Sequence, residues 1–127
     1  MIDHLDITVV EPARSEAFYL SALAPLGLDL AYRNASNVAG GQTLGFSASP
    51  NPTFCIRNGD RATAPLPIAF SAASQTAVDA FHAAALAACG RDNGAPGLRP
   101  CYAKSYCSAF VLDLDGHNVE AVCRSPL

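Results

Sequence analysis

The chain has 127 residues and a formal net charge of −3, with 50% hydrophobic and 15% charged residues. This length builds one domain with a real core, and the lack of a basic excess argues against nucleic-acid binding, which neutralises phosphates with cationic side chains. No apolar run approaches membrane-spanning length and residues 1–4 do not open a signal peptide, so a cytoplasmic protein is expected.

The first half of the chain predicts one β-α-β-β-β unit. The β-branched stretch 2–10 indicates a strand, and residues 13–24 carry a helical apolar stripe that Pro25 and Gly27 end. Clusters of Asn, Gly, Ser and Pro then separate three short strand candidates, 28–32, 42–46 and 53–57. The polar stretch 58–65 is expected to connect the two halves.

The second half predicts the same order of elements. A strand at 66–71 precedes Ser74, which is expected to cap a helix at 75–89 that Gly90 ends. A weak strand signal extends to residue 102, and a strong one covers 105–113. After an Asp115-Gly116 turn, the last strand covers 118–124.

The two halves repeat at an offset of 63 residues. An ungapped alignment places Phe18 on Phe81 and Gly27 on Gly90, with equal spacing from strand to helix. We therefore predict two copies of one supersecondary unit, residues 1–60 and 66–127, within a single domain 1–127.

The five cysteines do not indicate a disulfide framework, because their number is odd and no signal peptide is recognised. Cys55, Cys89 and Cys123 lie in apolar segments and are expected to be buried free thiols. Cys101 and Cys107 are too far apart for a C-x-x-C redox motif, and neither shows a sign of activation.

The two ends of the chain resemble a known superfamily. The opening strand reads His4-Leu5-Asp6-Ile7-Thr8-Val9, and the closing residues 109–122 read A-F-V-L-D-L-D-G-H-N-V-E-A-V. These segments resemble the glyoxalase, bleomycin-resistance and extradiol-dioxygenase superfamily, also called vicinal oxygen chelate proteins. The resemblance covers essentially the whole chain. It implies an α+β fold of two β-α-β-β-β modules, whose curled mixed sheets surround a shared cavity that usually holds a divalent metal ion.

The same resemblance frames the question of a metal site. Metal-binding members carry His or Glu ligands on the first and last strand of each module, so His4 and Glu120 fill two of four places. The 63-residue offset puts Pro67 opposite His4 and Arg57 opposite Glu120, and neither is a suitable ligand. A catalytic divalent ion typically has about three protein ligands, and the candidates for the third are Cys101, Tyr102 and Tyr106. The predicted cofactor is either none or one ion of Zn, Fe, Mn or Ni.

Each of the main site candidates has a purely structural alternative. His4 is also consistent with a hydrogen-bonded strand histidine, and Glu120 with an outward-facing strand residue. Arg57 is consistent with a solvated strand end, with a partner of Glu120, or with a cation that holds an anionic substrate through its planar fork.

Two tyrosines and two further histidines complete the polar candidates. Tyr102 and Tyr106 cluster with Lys104 at the expected cavity rim, where they would orient a substrate. His82 is expected to be partly exposed, and His117, beside the Asp115-Gly116 turn, is expected to face solvent.

Three functions remain open, because the superfamily includes isomerases, dioxygenases, epimerases, thiol transferases and drug-binding proteins. The favoured one is a protein with a degenerate metal site that binds a small organic molecule in the inter-module cavity through Arg57, Tyr102 and Tyr106. The second is a metal-dependent lyase or dioxygenase using His4 and Glu120. The third is a metal-free enzyme with His4 or Glu120 as general base. A homodimer is expected from the apolar composition and the short edge strands.

Overall fold

The computed structural model describes residues 1–34, 41–60 and 64–124. The first module contains β1 (Leu5–Val9), α1 (Pro12–Leu23), β2 (Asp29–Arg33), β3 (Thr43–Ser47) and β4 (Phe54–Asn58), with a short 3-10 turn, Ala24–Leu26, after α1. The second module contains β5 (Pro67–Ser71), α2 (Gln75–Ala87), β6 (Arg91–Leu98), β7 (Cys107–Leu112) and β8 (Asn118–Cys123).

Each module folds into one four-stranded mixed sheet. The strand orders are β1-β4-β3-β2 and β5-β8-β7-β6, and the two sheets stay separate. The first and last strands of each module pair in parallel, and the remaining neighbours are antiparallel. The predicted α+β fold with two β-α-β-β-β modules is confirmed. Within the described residues, neither helix is long and apolar enough to span a membrane.

The helices cover one face of each sheet, and the other face stays open. Ile7 and Val9 of β1 are buried in the core, whereas Asp6 and Thr8, which alternate with them, are exposed. This alternation follows from the two-residue period of a strand, which sends successive side chains to opposite faces. Both helices pack against each other, so the core of the two modules is continuous.

The start and end of α2 show how local sequence sets this core. Ser74 caps the helix as predicted, because its hydroxyl accepts a hydrogen bond from the Ala77 N–H at 3.1 Å. The helix ends at Ala87, before the predicted end at Cys89, because Cys89 has a left-handed φ of 76°. Cys89 lies beyond the helix and is exposed, so its predicted burial was wrong. Cys55 and Cys123 are buried free thiols, as predicted.

Strand β6 is the element that differs most from its prediction. It ends at Leu98 rather than near residue 102, and its register against β7 shifts between Asp92 and Gly94 and again between Gly94 and Gly97. These irregularities explain the weak strand signal of the segment. Residues 61–63 of the predicted connection between the halves lie outside the described residues.

Candidate functional site

The open face of the first sheet carries a pocket of about 730 Å³. All four strands of this sheet contribute to the pocket. The loop between β3 and β4 contributes Asn51 and Pro52. Its walls are Asp3, His4, Asp6, Tyr32, Asn34, Thr43, Asn51, Pro52, Cys55 and Arg57. All of these residues belong to the first module, so this pocket is not the cavity between modules that the resemblance implied.

His4 lies at the exposed rim of the pocket, just before β1. Its Nδ1 is 2.8 Å from a carboxylate oxygen of Asp3. This hydrogen bond, with the negative charge of nearby Asp6, raises the pKa of the His4 imidazole. The His4 ring therefore lies next to two acidic side chains, Asp3 and Asp6, and their negative charges stabilise its protonated form.

Arg57 faces the same pocket from β4. Its Nη1 is 3.6 Å from a carboxylate oxygen of Asp6, and both side chains are partly exposed. Pairing with Glu120 was one of three alternatives for Arg57, and within this chain the carboxylate beside Arg57 is instead that of Asp6 on the neighbouring strand β1. At this separation the guanidinium keeps most of its donors free for another anion.

The strand registers correct the repeat on which the metal prediction rested. Asp6 pairs with Cys55, and Ala69 pairs with Glu120. Asp6 and Ala69 are 63 residues apart, whereas Cys55 and Glu120 are 65 apart. The structural counterpart of Glu120 is therefore Cys55, and the placement of Arg57 opposite Glu120 was wrong. The second module has two more residues between its helix and its last two strands, and a helix alignment cannot show this difference.

Cys55 is a buried thiol at the floor of the pocket. Burial, the charge of Asp6 and a hydrogen bond with Asp6 raise the pKa of the Cys55 thiol to about 11. The thiol is therefore protonated near neutral pH. A protonated thiol is both a poor nucleophile and a poor metal ligand.

The open face of the second sheet holds a second polar group, built around Glu120. The Tyr106 hydroxyl donates a hydrogen bond to the Glu120 carboxylate, and the Arg124 guanidinium lies 4.8 Å from the centre of the Tyr106 ring. Burial and this bond to Glu120 raise the pKa of Tyr106 to about 12. Tyr102 is exposed and packs edge-on against Tyr106, with ring centres 5.1 Å apart. The structure thus brings together Glu120, Tyr106 and Tyr102, and separately His4 and Arg57.

Within the described part of one chain, the residues do not fit a divalent metal ion. Among the described residues, no group of three or more His, Cys, Asp and Glu side chains is placed to hold one. His4 is bonded to Asp3, and Glu120 accepts the hydroxyl proton of Tyr106. Cys101, a candidate third ligand, is exposed, and the described contacts do not join it to either residue.

Sequence reasoning missed a buried polar network that joins the two modules at the turn after β7. Asp113 accepts a hydrogen bond from the Tyr19 hydroxyl of α1 at 2.5 Å. Asp115 accepts one from the Val10 N–H at 3.0 Å and one from the Ser15 hydroxyl at 3.5 Å. The two aspartates of the closing sequence motif thus have a structural role, and they do not line the pocket.

His117 extends the same network and is buried, so the prediction that it faces solvent was wrong. Its Nδ1 accepts a hydrogen bond from the Leu66 N–H at 3.0 Å. Since that nitrogen accepts, Nε2 carries the proton and donates to the Thr8 carbonyl at 3.1 Å. The ring thus joins the residue before β5 of the second module to β1 of the first module. His82 is partly buried and pairs with Asp92 at 3.0 Å.

No family model and no curated protein matches the chain in sequence. Among solved structures, a glyoxalase/bleomycin resistance protein from Albidiferax ferrireducens T118 is 28% identical, with a TM-score of 0.79 over 95% of this chain and 97% of that one. A glyoxalase/bleomycin resistance protein/dioxygenase family enzyme from Burkholderia phytofirmans PsJN is 14% identical, with a TM-score of 0.71 over 98% of each chain. A variant of the fosfomycin resistance protein FosX from Listeria monocytogenes is 19% identical, with a TM-score of 0.69 over 95% of this chain and 87% of that one.

These similarities agree with the architecture and with the two sequence motifs at the ends of the chain. The chain has the fold of the glyoxalase/bleomycin resistance/dioxygenase superfamily and is similar in structure to its members, and the resemblance in its sequence is confirmed at that level. The activity within the superfamily is a separate question, because one fold hosts many functions.

Proposed function

We propose that this chain binds a small polar organic molecule in the pocket on the open face of the first sheet. The observation that carries the proposal is the pocket itself. Its volume of about 730 Å³ lies within the range of small-molecule sites, roughly 300–1,000 Å³. Its walls are mostly hydrogen-bonding and charged side chains, and among the described residues its His, Cys, Asp and Glu members are not grouped to hold a metal ion.

Arg57 is the residue that selects the ligand in this proposal. Its guanidinium has five N–H donors in a fixed fork, and the 3.6 Å contact with Asp6 uses few of them. A carboxylate or phosphonate of the ligand would bind this fork, while the side-chain amide of Asn51 binds its neutral polar groups. The proposed ligand is thus a small organic anion with hydroxyl or amide groups.

The FosX structure supports this ligand class. That protein is complexed with Mn(II) and 1S,2S-dihydroxypropylphosphonic acid, a small anion with two hydroxyl groups. The support concerns the size and charge of the ligand only, because the identity of 19% shows a shared fold.

We also propose that a homodimer brings the second open face into the site. Tyr32 at the rim of the pocket and Tyr102 beside Tyr106 are both large exposed aromatic side chains, which are typical of protein interfaces. In this arrangement Tyr102, Tyr106 and Glu120 of one chain close the pocket of the other. Sedimentation at micromolar concentration tests the dimer, and a monomer alone would contradict it without affecting the pocket.

The binding test is a thermal-shift screen of small carboxylic and phosphonic acids, followed by titration calorimetry on the compounds that raise the melting temperature. Replacing Arg57 with Gln should weaken binding by about 10- to 100-fold, because a hydrogen bond to a charged group contributes about 1.5–3 kcal/mol. Arg33→Gln is the matched control, since Arg33 is similarly exposed but pairs with Glu16 on α1. Equal affinity of both variants would reject the role of Arg57.

Metal content separates this proposal from the metal-dependent lyase or dioxygenase. The untagged protein is loaded with Zn²⁺, Mn²⁺, Fe²⁺ or Ni²⁺, dialysed and measured by inductively coupled plasma mass spectrometry. Stoichiometric metal that both His4→Ala and Glu120→Ala abolish would overturn the proposal. Turnover of a bound compound that survives chelation and is lost in Glu120→Gln would favour the metal-free enzyme instead.

A further inference from the structure

Two of the free cysteines lie directly opposite each other in the second sheet. Cys107 is the first residue of β7, and Cys123 is the last residue of β8. The two residues pair in the antiparallel register, so their side chains share one face, which is the helix side of the sheet. Neither belongs to the pocket of the first module.

The spacing of this pair follows from the ladder. The Asp113 N–H donates to the His117 carbonyl at 3.0 Å, and the His117 N–H donates to the Asp113 carboxylate at 2.8 Å, so these two residues face each other at a hydrogen-bonding position of the ladder. Hydrogen-bonded and non-hydrogen-bonded pairs alternate along an antiparallel ladder, and Cys107 is six residues before Asp113 in an unbroken register. Cys107 and Cys123 are therefore also a hydrogen-bonded pair. Their Cα atoms should lie about 5.5 Å apart, within the range of roughly 4.4–6.8 Å that disulfides span.

We propose that Cys107 and Cys123 are a redox site, which a low-molecular-weight disulfide converts into a cross-strand disulfide bond. One thiolate attacks the small disulfide and forms a mixed disulfide, releasing the first small thiol. The other cysteine then attacks the protein sulfur of the mixed disulfide and releases the second small thiol. The pair loses two electrons and two protons, and the small disulfide is reduced to two thiols.

The position of the pair sets the rate of the reaction. Both thiols are buried, and burial raises the pKa of Cys107, so attack at neutral pH is slow. The pair lies at the open end of the β7–β8 hairpin, however, where the strands end and local opening costs least. A bond across a hydrogen-bonded pair also draws the strands together, and strained disulfides are readily reduced again.

The bond would act next to the Glu120 group. Cys107 follows Tyr106 in sequence, and Cys123 precedes Arg124, whose guanidinium covers the Tyr106 ring. Oxidation would therefore cross-link the two residues that adjoin Tyr106 and Arg124 in the chain. It would fix the end of the sheet from which Tyr106 reaches Glu120.

The sequence makes the test direct. Trypsin cleaves after Lys104 and after Arg124, so Cys107 and Cys123 lie in one peptide, residues 105–124, with no other cysteine. The folded protein is incubated with oxidised glutathione at mildly alkaline pH, and its remaining thiols are then alkylated in denaturant. The protein is digested with trypsin, and the masses of the peptides are measured by mass spectrometry. We expect peptide 105–124 without alkyl groups and lighter by two hydrogen atoms, and dithiothreitol should restore two alkylation sites.

Variants separate the proposed pair from other outcomes. Cys107→Ser and Cys123→Ser should each abolish the mass loss, whereas Cys55→Ser should retain it. The exposed Cys89 and Cys101 report that the oxidant is active, because they form mixed disulfides with glutathione. Two alkyl groups on peptide 105–124 after Cys101 is fully modified would overturn the proposal. A lasting glutathione adduct on either cysteine of that peptide would also overturn it.

Discussion

Cys55 and Glu120 occupy the same position in the two modules. Cys55 pairs with Asp6 on β1, and Glu120 pairs with Ala69 on β5, which is the repeat partner of Asp6. One module thus presents a protonated thiol beside a carboxylate, and the other presents a carboxylate held by a tyrosine hydroxyl. The two open faces have diverged in chemistry while their backbones kept the same plan.

The Cys55 thiol should react slowly with alkylating reagents at neutral pH. A pKa of about 11, compared with the ordinary 9.0 of a cysteine thiol, lowers the thiolate fraction by about 100-fold. Asp6→Asn should accelerate the reaction, because it removes the negative charge that contributes to the raised pKa. The measurement is alkylation against pH, followed on the tryptic peptide 34–57, which contains no other cysteine.

Asp3→Asn is the matched control for this experiment, since Asp3 also lines the pocket but does not contribute to the raised pKa of Cys55. An equal acceleration in both variants would show that the pocket has opened and that the pKa of Cys55 is unchanged.

The bond between Tyr19 and Asp113 should contribute strongly to stability. Tyr19→Phe leaves a buried carboxylate oxygen without its donor, so we expect a loss of about 1–3 kcal/mol in the free energy of unfolding. Urea unfolding measures this loss. Tyr102→Phe, in an exposed ring, should change the free energy by less than about 0.5 kcal/mol.

The hydrogen bond between Tyr19 and Asp113 also predicts that the stability of the folded chain falls at alkaline pH. Burial and the charge of Asp113 hold the pKa of Tyr19 well above its usual 10 in the folded chain. The stability that the protonated Tyr19 hydroxyl contributes is therefore fully present below pH 10. It is lost as the pH rises above 10, because the Tyr19 hydroxyl ionises there in the unfolded chain but stays protonated in the folded one. The difference in stability between wild type and Tyr19→Phe should shrink above pH 10. A constant difference would contradict the raised pKa.

Gly90 and Gly27 are repeat partners that should respond to substitution for different reasons. A Cβ on Gly90 would lie 2.6 Å from Val111 Cγ1 and 2.7 Å from Phe18 Cε1, whereas Gly27 has open space but a φ of 82°. Gly90→Ala should cost about 1–3 kcal/mol through overpacking. Gly27→Asn should be tolerated, since Asn adopts the left-handed region, whereas Gly90→Asn should be worse than Gly90→Ala. Thermal unfolding of the three variants checks this order.

His117→Phe should destabilise the junction of the modules. The phenyl ring keeps the apolar bulk but leaves the Leu66 N–H and the Thr8 carbonyl without partners, at about 1–3 kcal/mol for each group. His82→Gln is the control, because its exposed partner Asp92 is accessible to water. If both variants unfolded at the same denaturant concentration, the bridging role of His117 would be rejected.

The fold was predictable from the sequence because its signals are local. The matched Phe and Gly of the two helices, the Ser74 cap and the turn at Asp115-Gly116 each act within a few residues. Strand β6 was predicted poorly, because its Gly and Pro residues carry no strand pattern and its pairing depends on β7. Local sequence does not contain that information.

The site was predictable only in part, because it depends on register. The offset was derived from the helices, so it could not show the two additional residues before β7. As a result, Arg57 was aligned with Glu120, although the structural counterpart of Glu120 is Cys55. His117 was misplaced for a related reason. Its partners, Thr8 and Leu66, belong to distant segments, and no pattern around residue 117 indicates them.

The network at the turn after β7 has a consequence for how the chain folds while it is being synthesised. The first module leaves the ribosome first, yet the Thr8 carbonyl, the Val10 N–H and the Tyr19 hydroxyl find their partners only in residues 113–117. Nearly the whole chain must be translated before these groups are satisfied. The first module is therefore expected to remain loosely packed until the final hairpin emerges, and a nascent chain arrested before Asp113 should stay sensitive to protease.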